Sequence, residues 1–142
     1  ASTYDIDEYV VDIAKKEGLT PGLKPLDGNV ALHQACHSRA QNFGQKSAEM
    51  LNFIPDLSLN VIERCSGHGG SWGMMKDNFK TAIKVGKPAA RQALKANPKY
   101  VVSGCPLAGE HILQGIDFLG NSDKRPKSAN HPIEILAKAY DL

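Results

Sequence analysis

The sequence predicts an α/β domain: a mostly parallel sheet with helices on both faces. Two observations carry this. Short apolar runs alternate three times with longer segments whose apolar residues recur at helical spacing, and Gly, Pro or polar residues separate them. Each of the three runs is followed, at its junction with the next segment, by a cysteine: Cys36, Cys65 and Cys105. A chain of 142 residues, 42% hydrophobic and 23% charged, can bury one core without disulfide staples, which excludes disorder, collagen and coiled coil.

The first helical segment carries Ile6, Tyr9, Val10 and Ile13 on one face, opened by Asp5 with Glu8 three residues on and closed by Gly18. A Pro/Gly-rich connection runs from Thr20 to Gly28, and Val30 to Leu32 reads as the first strand. Ser38 with Gln41 forms a capping box for a helix whose stripe is Ala40, Phe43, Gly44, Ser47, Ala48 and Leu51, stopped by Pro55. Leu59 to Ile62 is the second strand, and a loop from Cys65 to Gly70 leads to a helix beginning near Ser71 or Trp72. Gly86 and Pro88 are expected to interrupt that helix, leaving Ala89, Ala90, Ala93 and Leu94 as a second short one. Tyr100 to Ser103 is the third strand. Pro106 then opens a helix with Ala108, Ile112, Gly115, Ile116 and Leu119 inward. Residues Gly120 to Asn130 form a polar loop, and Pro132 starts a last helix with Ile133, Leu136, Ala137 and Tyr140 inward.

The carboxyl ends of parallel strands share one edge, where such folds place their ligands. Three cysteines distant in sequence therefore converge there, each near a helix N-terminus that favours the thiolate. Three thiolates and one imidazole make a tetrahedral site for zinc or for the iron of a cluster. His68, in the same glycine-flanked loop as Cys65, is the expected fourth ligand; His33, His37 and His111 also lie close to a cysteine in sequence. Packing remains an alternative for any single cysteine, and Trp72 is expected to cover the site. Gly67, Gly69 and Gly70 would equally let the backbone cradle a phosphate, and a cysteine nucleophile oriented by His37 or His68 is a further option. No Cys-x-x-Cys and no His-Glu-x-x-His occurs.

A formal net charge of +2, with no basic block interleaved with aromatics, argues against nucleic acid as a partner. No apolar run approaches the roughly 18 residues of a membrane span, and the acidic start, Ala1 to Glu8, lacks a signal-peptide core. The expected location is cytoplasmic. A chain opening at Ala1 without methionine is expected to be processed or cut from a longer protein.

The run around Cys36, His37 and Arg39, the run Cys65, Ser66, Gly67, and Cys105 with Pro106 resemble the cysteine-rich CCG domain family. That family includes one of the subunits of heterodisulfide reductase, the iron–sulfur subunit of glycolate oxidase and one of the subunits of anaerobic glycerol-3-phosphate dehydrogenase. The likeness runs from about Val30 to His131, Pro132, Ile133 and Glu134. The family motif is one cysteine, then Cys-Cys-Gly, then Cys-x-x-Cys. Ser66 stands where the second cysteine of Cys-Cys-Gly would be and Ala108 where the last cysteine of Cys-x-x-Cys would be, while the intervening 28 and 39 residues keep close to the family spacing.

The resemblance implies that residues 1–142 form a single CCG-like domain, the C-terminal repeat and fragment of a longer iron–sulfur protein. It implies an iron–sulfur cluster, with a [4Fe–4S] cubane favoured over the five-thiolate noncubane form, held by Cys36, Cys65, Cys105 and a non-cysteine ligand. Ser66 would either take the place of a missing thiolate donor or support the ligands from behind. Partners would be other iron–sulfur or flavin domains or subunits, reached if necessary at the inner face of the membrane. The implied role is electron transfer or substrate reduction within an oxidoreductase. The alternative is a degenerate domain whose zinc is structural and whose role is interaction.

Overall fold

A computed structural model describes residues 3–42 and 44–142. Three parallel strands, β1 (Val30–His33), β2 (Leu59–Ile62) and β3 (Tyr100–Ser103), pair in the order β2-β1-β3. Strand β1 is central and buried along its whole length, which is why it reads as an unbroken apolar run. Asn130 extends the sheet by a single parallel bridge to Val102.

The pleat divides the core in two. Val30, Leu32 and Val102 face one layer, made by α1 (Ile6–Lys16), α3 (Lys46–Leu51) and α6 (Pro132–Ala139). Ala31, Ile62 and Val101 face the other, made by α4 (Phe79–Lys95) and α5 (Pro106–Phe118). Helices thus cover both faces, as expected. Small residues bring α4 and α5 close: a Cβ at Gly115 would lie 2.9 Å from that of Ala90.

Several elements differ from the sequence expectation. In α1 the Asp5 side chain accepts from the Asp7 amide, yet Ile6 and Tyr9 are about half exposed and Asp7 and Val11 are buried. The rotation is tolerated because Ser47 donates a hydrogen bond to Asp7 Oδ2, satisfying one oxygen of the buried carboxyl. The helix expected from Ser38 to Pro55 is two. Helix α2 (Cys36–Ala40) ends where Asn42 (φ 54°) and Gly44 (φ 86°) turn the chain left-handed, and α3 follows. Ser38 is therefore inside α2, whose N-cap is Ala35, and is no cap; Phe43 lies outside the described residues.

Near Trp72 there is only a 3-10 turn, Trp72–Met74, and α4 begins at Phe79. It then runs unbroken through Gly86 and Pro88, which stands in the helix interior. Six residues of its inner face, Ala82, Ile83, Gly86, Ala89, Ala90 and Ala93, are buried, so packing outweighs the proline penalty. Helix α6 is capped by a box in which the His131 side chain accepts from the Ile133 amide and Glu134 accepts from the His131 amide. It buries Ile135 and Ala139 beside Leu136, while Ile133, Ala137 and Tyr140 are only partly covered. Among the described residues, no helix is long and apolar enough to cross a membrane.

Candidate metal centre

The strand register brings the cysteines to one edge. His33 of β1 is level with Ile62 of β2 and Ser103 of β3. Cys36 and Cys65 stand three residues beyond that level and Cys105 two. Cys36 is the first residue of α2 and Cys105 the N-cap of α5; Cys36 and Cys65 are exposed and Cys105 is partly buried. Cys65 departs from the expectation, because the short 3-10 turn starts only at Trp72 and no α-helix begins beside the thiol. Its sulfur instead accepts from the Gly67 amide, at 3.4 Å.

The loop carrying Cys65 lies against α4, backbone on backbone. Gly67 has φ 89°, and a Cβ there would fall 2.3 Å from the Ala82 carbonyl oxygen; a Cβ at Gly86 would fall 2.1 Å from the Ser66 carbonyl oxygen. Two glycines therefore permit the contact. The loop folds back far enough for His68 Nε2 to stand 3.5 Å from Cys105 Sγ, joining the β2 and β3 junctions.

That distance admits two chemistries. A metal bound to a thiolate at about 2.3 Å and an imidazole at about 2.0–2.1 Å, at the tetrahedral angle, holds sulfur and nitrogen about 3.6 Å apart. Alternatively the ring donates a hydrogen bond to sulfur. The Gly70 amide donates to His68 Nδ1, at 3.1 Å, so in this state the ring proton sits on Nε2 and faces Cys105. Ligation through Nε2 requires the proton to leave Nε2 and the Gly70 contact to yield. Burial, followed by the neighbouring His111, holds the His68 pKa below its ordinary value and keeps the ring neutral.

His33 has a different task. Its Nε2 donates to the Arg64 carbonyl, at 3.0 Å, leaving Nδ1 to accept from the Ser103 hydroxyl at 3.2 Å. Ser103 Oγ in turn accepts from the Cys105 amide at 3.2 Å. One buried imidazole thus ties the residue before Cys65 to the residues leading into Cys105. Both nitrogens are committed, so His33 positions the two loops. Burial above all keeps its pKa low and the ring neutral. Sequence spacing singles out His33 without showing this clamp, because Ser103 and Arg64 meet it only across the sheet.

His37 is exposed on α2. Ser66 is buried, 3% exposed, with its carbonyl against Gly86. His111 is buried in α5, edge-on to Phe79 at 6.0 Å, and neither ring nitrogen has a partner among the described residues. Trp72 is 44% exposed, with its side chain against Gly69 of the same loop.

Cys105 and His68 are thus in contact, whereas among the described residues no three His, Cys, Asp or Glu side chains stand close enough together to hold a single ion. The three thiols follow the carboxyl ends of the three strands, and the Cys105–His68 contact joins two of the segments that carry them.

Comparison with known proteins gives the same neighbourhood. The chain is 32% identical over 124 residues to one of the subunits of anaerobic glycerol-3-phosphate dehydrogenase from Escherichia coli (strain K12), covering 87% of this chain and 29% of that protein. It is 30% identical over 140 residues to one of the subunits of the fumarate reductase (CoM/CoB) of Methanothermobacter marburgensis, covering 96% and 27%. Against one of the subunits of dihydromethanophenazine:CoB–CoM heterodisulfide reductase from Methanosarcina acetivorans it is 27% identical over 144 residues, covering 96% and 34%. The chain spans less than a third of the first two proteins and about a third of the last. No protein-family model matches it, and no solved structure matches it significantly.

Proposed function

Because the chain belongs to the cysteine-rich CCG-type domain family, we propose that it is an iron–sulfur module of an oxidoreductase, passing electrons between a centre at the sheet edge and other domains or subunits. The observation carrying this reading is the common register of three thiol-bearing loops, two of them already joined by the Cys105–His68 contact. Cys36, Cys65 and Cys105 would hold the group, with His68 as the fourth donor through Nε2. A bound cluster would supply one-electron transfer at a potential set by its ligands and hydrogen bonds.

A cluster suits the arrangement better than zinc. A single tetrahedral ion needs all four donors within about 4 Å of one another. In a cluster each donor takes a different iron, so donors on separate loops need not crowd. The chain's own residues would position and tune the centre. His33 and Ser103 fix two of the loops, and the Gly67 amide donates to Cys65 sulfur, which stabilises negative charge there. The longer protein would assemble with iron–sulfur or flavin subunits on the cytoplasmic side, the domain forming its C-terminal part.

Iron, acid-labile sulfide, zinc and visible absorption measured on anaerobically purified protein test this. Iron and sulfide in near-equal amounts with broad visible absorption are expected. Colourless protein holding one zinc would replace the electron-transfer reading with a structural metal in an interaction module.

A further inference from the structure

Helix α4 carries Lys80, Lys84, Lys87, Arg91 and Lys95 and no acidic residue. At 100° per residue these five fall within an arc of roughly 80°, opposite the buried face, and span about 22 Å of helix. All five are exposed, and none forms an ion pair among the described residues, although six pairs occur elsewhere. Removing them from the chain's formal +2 leaves −3 for the rest. Neighbours along the stripe are like charges three or four apart, each pair costing about 0.2–0.5 kcal/mol. The fold bears that cost without offsetting it.

The stripe is also placed. The buried side of α4 meets the Cys65–Gly67 loop at Ala82 and Gly86, so the cations lie one helix thickness, about 10 Å, from that loop. Arg64, next to Cys65, joins Arg91 and Lys95 in lining an open groove of about 670 Å³.

We propose that this face of α4 docks a protein partner presenting a compact acidic surface, and that it seats that partner beside the cysteine edge. The binding stands on charge alone; its service to electron transfer rests on the function proposed above. A membrane fits less well, because the apolar face of α4 is consumed by the core and cannot insert. An extended nucleic acid fits less well too, since beyond the stripe it meets a remainder of −3, and α4 offers no exposed aromatic for stacking. A bounded acidic patch meets only the stripe, because charges beyond about 8 Å are screened at physiological salt.

The test titrates the full-length ¹⁵N-labelled protein, iron-loaded and metal-free, with poly-L-glutamate as the acidic probe. A 20-base-pair DNA duplex and phosphatidylglycerol vesicles are titrated in parallel. Amide shifts confined to residues 80–95 are expected, with affinity falling at least tenfold between 50 and 300 mM salt. K84E/R91E should weaken binding at least tenfold, and the exposed control K127E/K138E less than twofold. Carbodiimide coupling should link the probe through lysines of α4. Shifts spread over all lysines, indifference to K84E/R91E, or tighter binding of DNA or vesicles through the same residues would overturn the proposal. Metal-free protein should bind equally well, so failure to find iron leaves this result standing on its own.

Discussion

Replacing Gly86 with alanine tests the contact that seats the cysteine loop, and two opposed effects decide its sign. In an open helix interior the change stabilises by about 1 kcal/mol, since alanine loses less backbone entropy. Here the new Cβ falls 2.1 Å from the Ser66 carbonyl oxygen and 3.0 Å from its carbon, where ordinary contact begins at 3.4 Å. Helix and loop must therefore part by about 1.3 Å, and the obstacle is backbone. The loop has little room to slide, because Gly67 itself abuts the Ala82 oxygen and the Gly86 nitrogen. Overpacking costs about 1–3 kcal/mol, and a backbone clash belongs at the upper end. The net is a loss of about 2 kcal/mol, which in a domain of this size lowers Tm by roughly 6–8 °C. Thermal and urea unfolding of G86A measure it. G104A serves as control, since the nearest atom to its Cβ is 4.0 Å away. A G86A protein as stable as its parent, or more so, would refute the close approach and the seating of the loop derived from it.

The buried His33 resists protonation, whereas the unfolded chain takes up a proton near pH 6.5, so between the two values the unfolded state binds more protons. Metal-free protein should keep full stability above about pH 6.5 and lose it as pH falls below, and H33Q should flatten that slope; equal slopes in both would disprove the linkage. Burial raises the Asp7 pKa, so here the folded state holds the proton longer, and stability is lost as pH rises from 3.8 through the folded value. D7N should accordingly gain on the parent between pH 4 and 7 in parallel melts. C65S should lose all bound iron and H68A should hold it more weakly, while S66A should bind as the parent does. Iron analysis after gel filtration decides, and equal loss from S66A would make the Ser66 hydroxyl a ligand.

How much can be read in advance depends on where each element gets its stability. Strands β1 and β3 are buried on both faces and declare themselves as apolar runs. Helix α5 is equally clear from Pro106 and its apolar stripe. Helix α4 misleads because Gly86 and Pro88 signal a break locally, while six buried inner positions hold the helix together and Gly86 gives the cysteine loop room to approach. Helix α1 is rotated from its expected face because a carboxylate is not expected inside, and the partner that allows it, Ser47, is distant in sequence. At the site, the place of each cysteine just past a strand is legible from alternation alone, although the helix expected soon after Cys65 begins only at Phe79. The His33 clamp is not, since it depends on β1 lying between β2 and β3.

The two departures from the family motif share a physical setting that yields the last prediction. Ser66 and Ala108 are 3% and 2% exposed, whereas Cys36 and Cys65 are exposed and Cys105 is partly so. The inward positions thus carry an alcohol and a methyl group, and the thiols that remain face outward. A buried thiolate carries a desolvation cost unless a metal neutralises it, and an outward one does not. The surviving set would hold a centre at the rim, on the side where Arg64 and α4 gather positive charge. Restoring the inward donors with S66C/A108C should move the centre inward and enlarge the donor set from three thiolates to five. Iron per chain should rise, and the visible and paramagnetic resonance spectra should change form. S66C/A108C with the same iron content and spectra as the parent would show that the inward positions lie outside the centre's reach, and that the three outward cysteines define it alone.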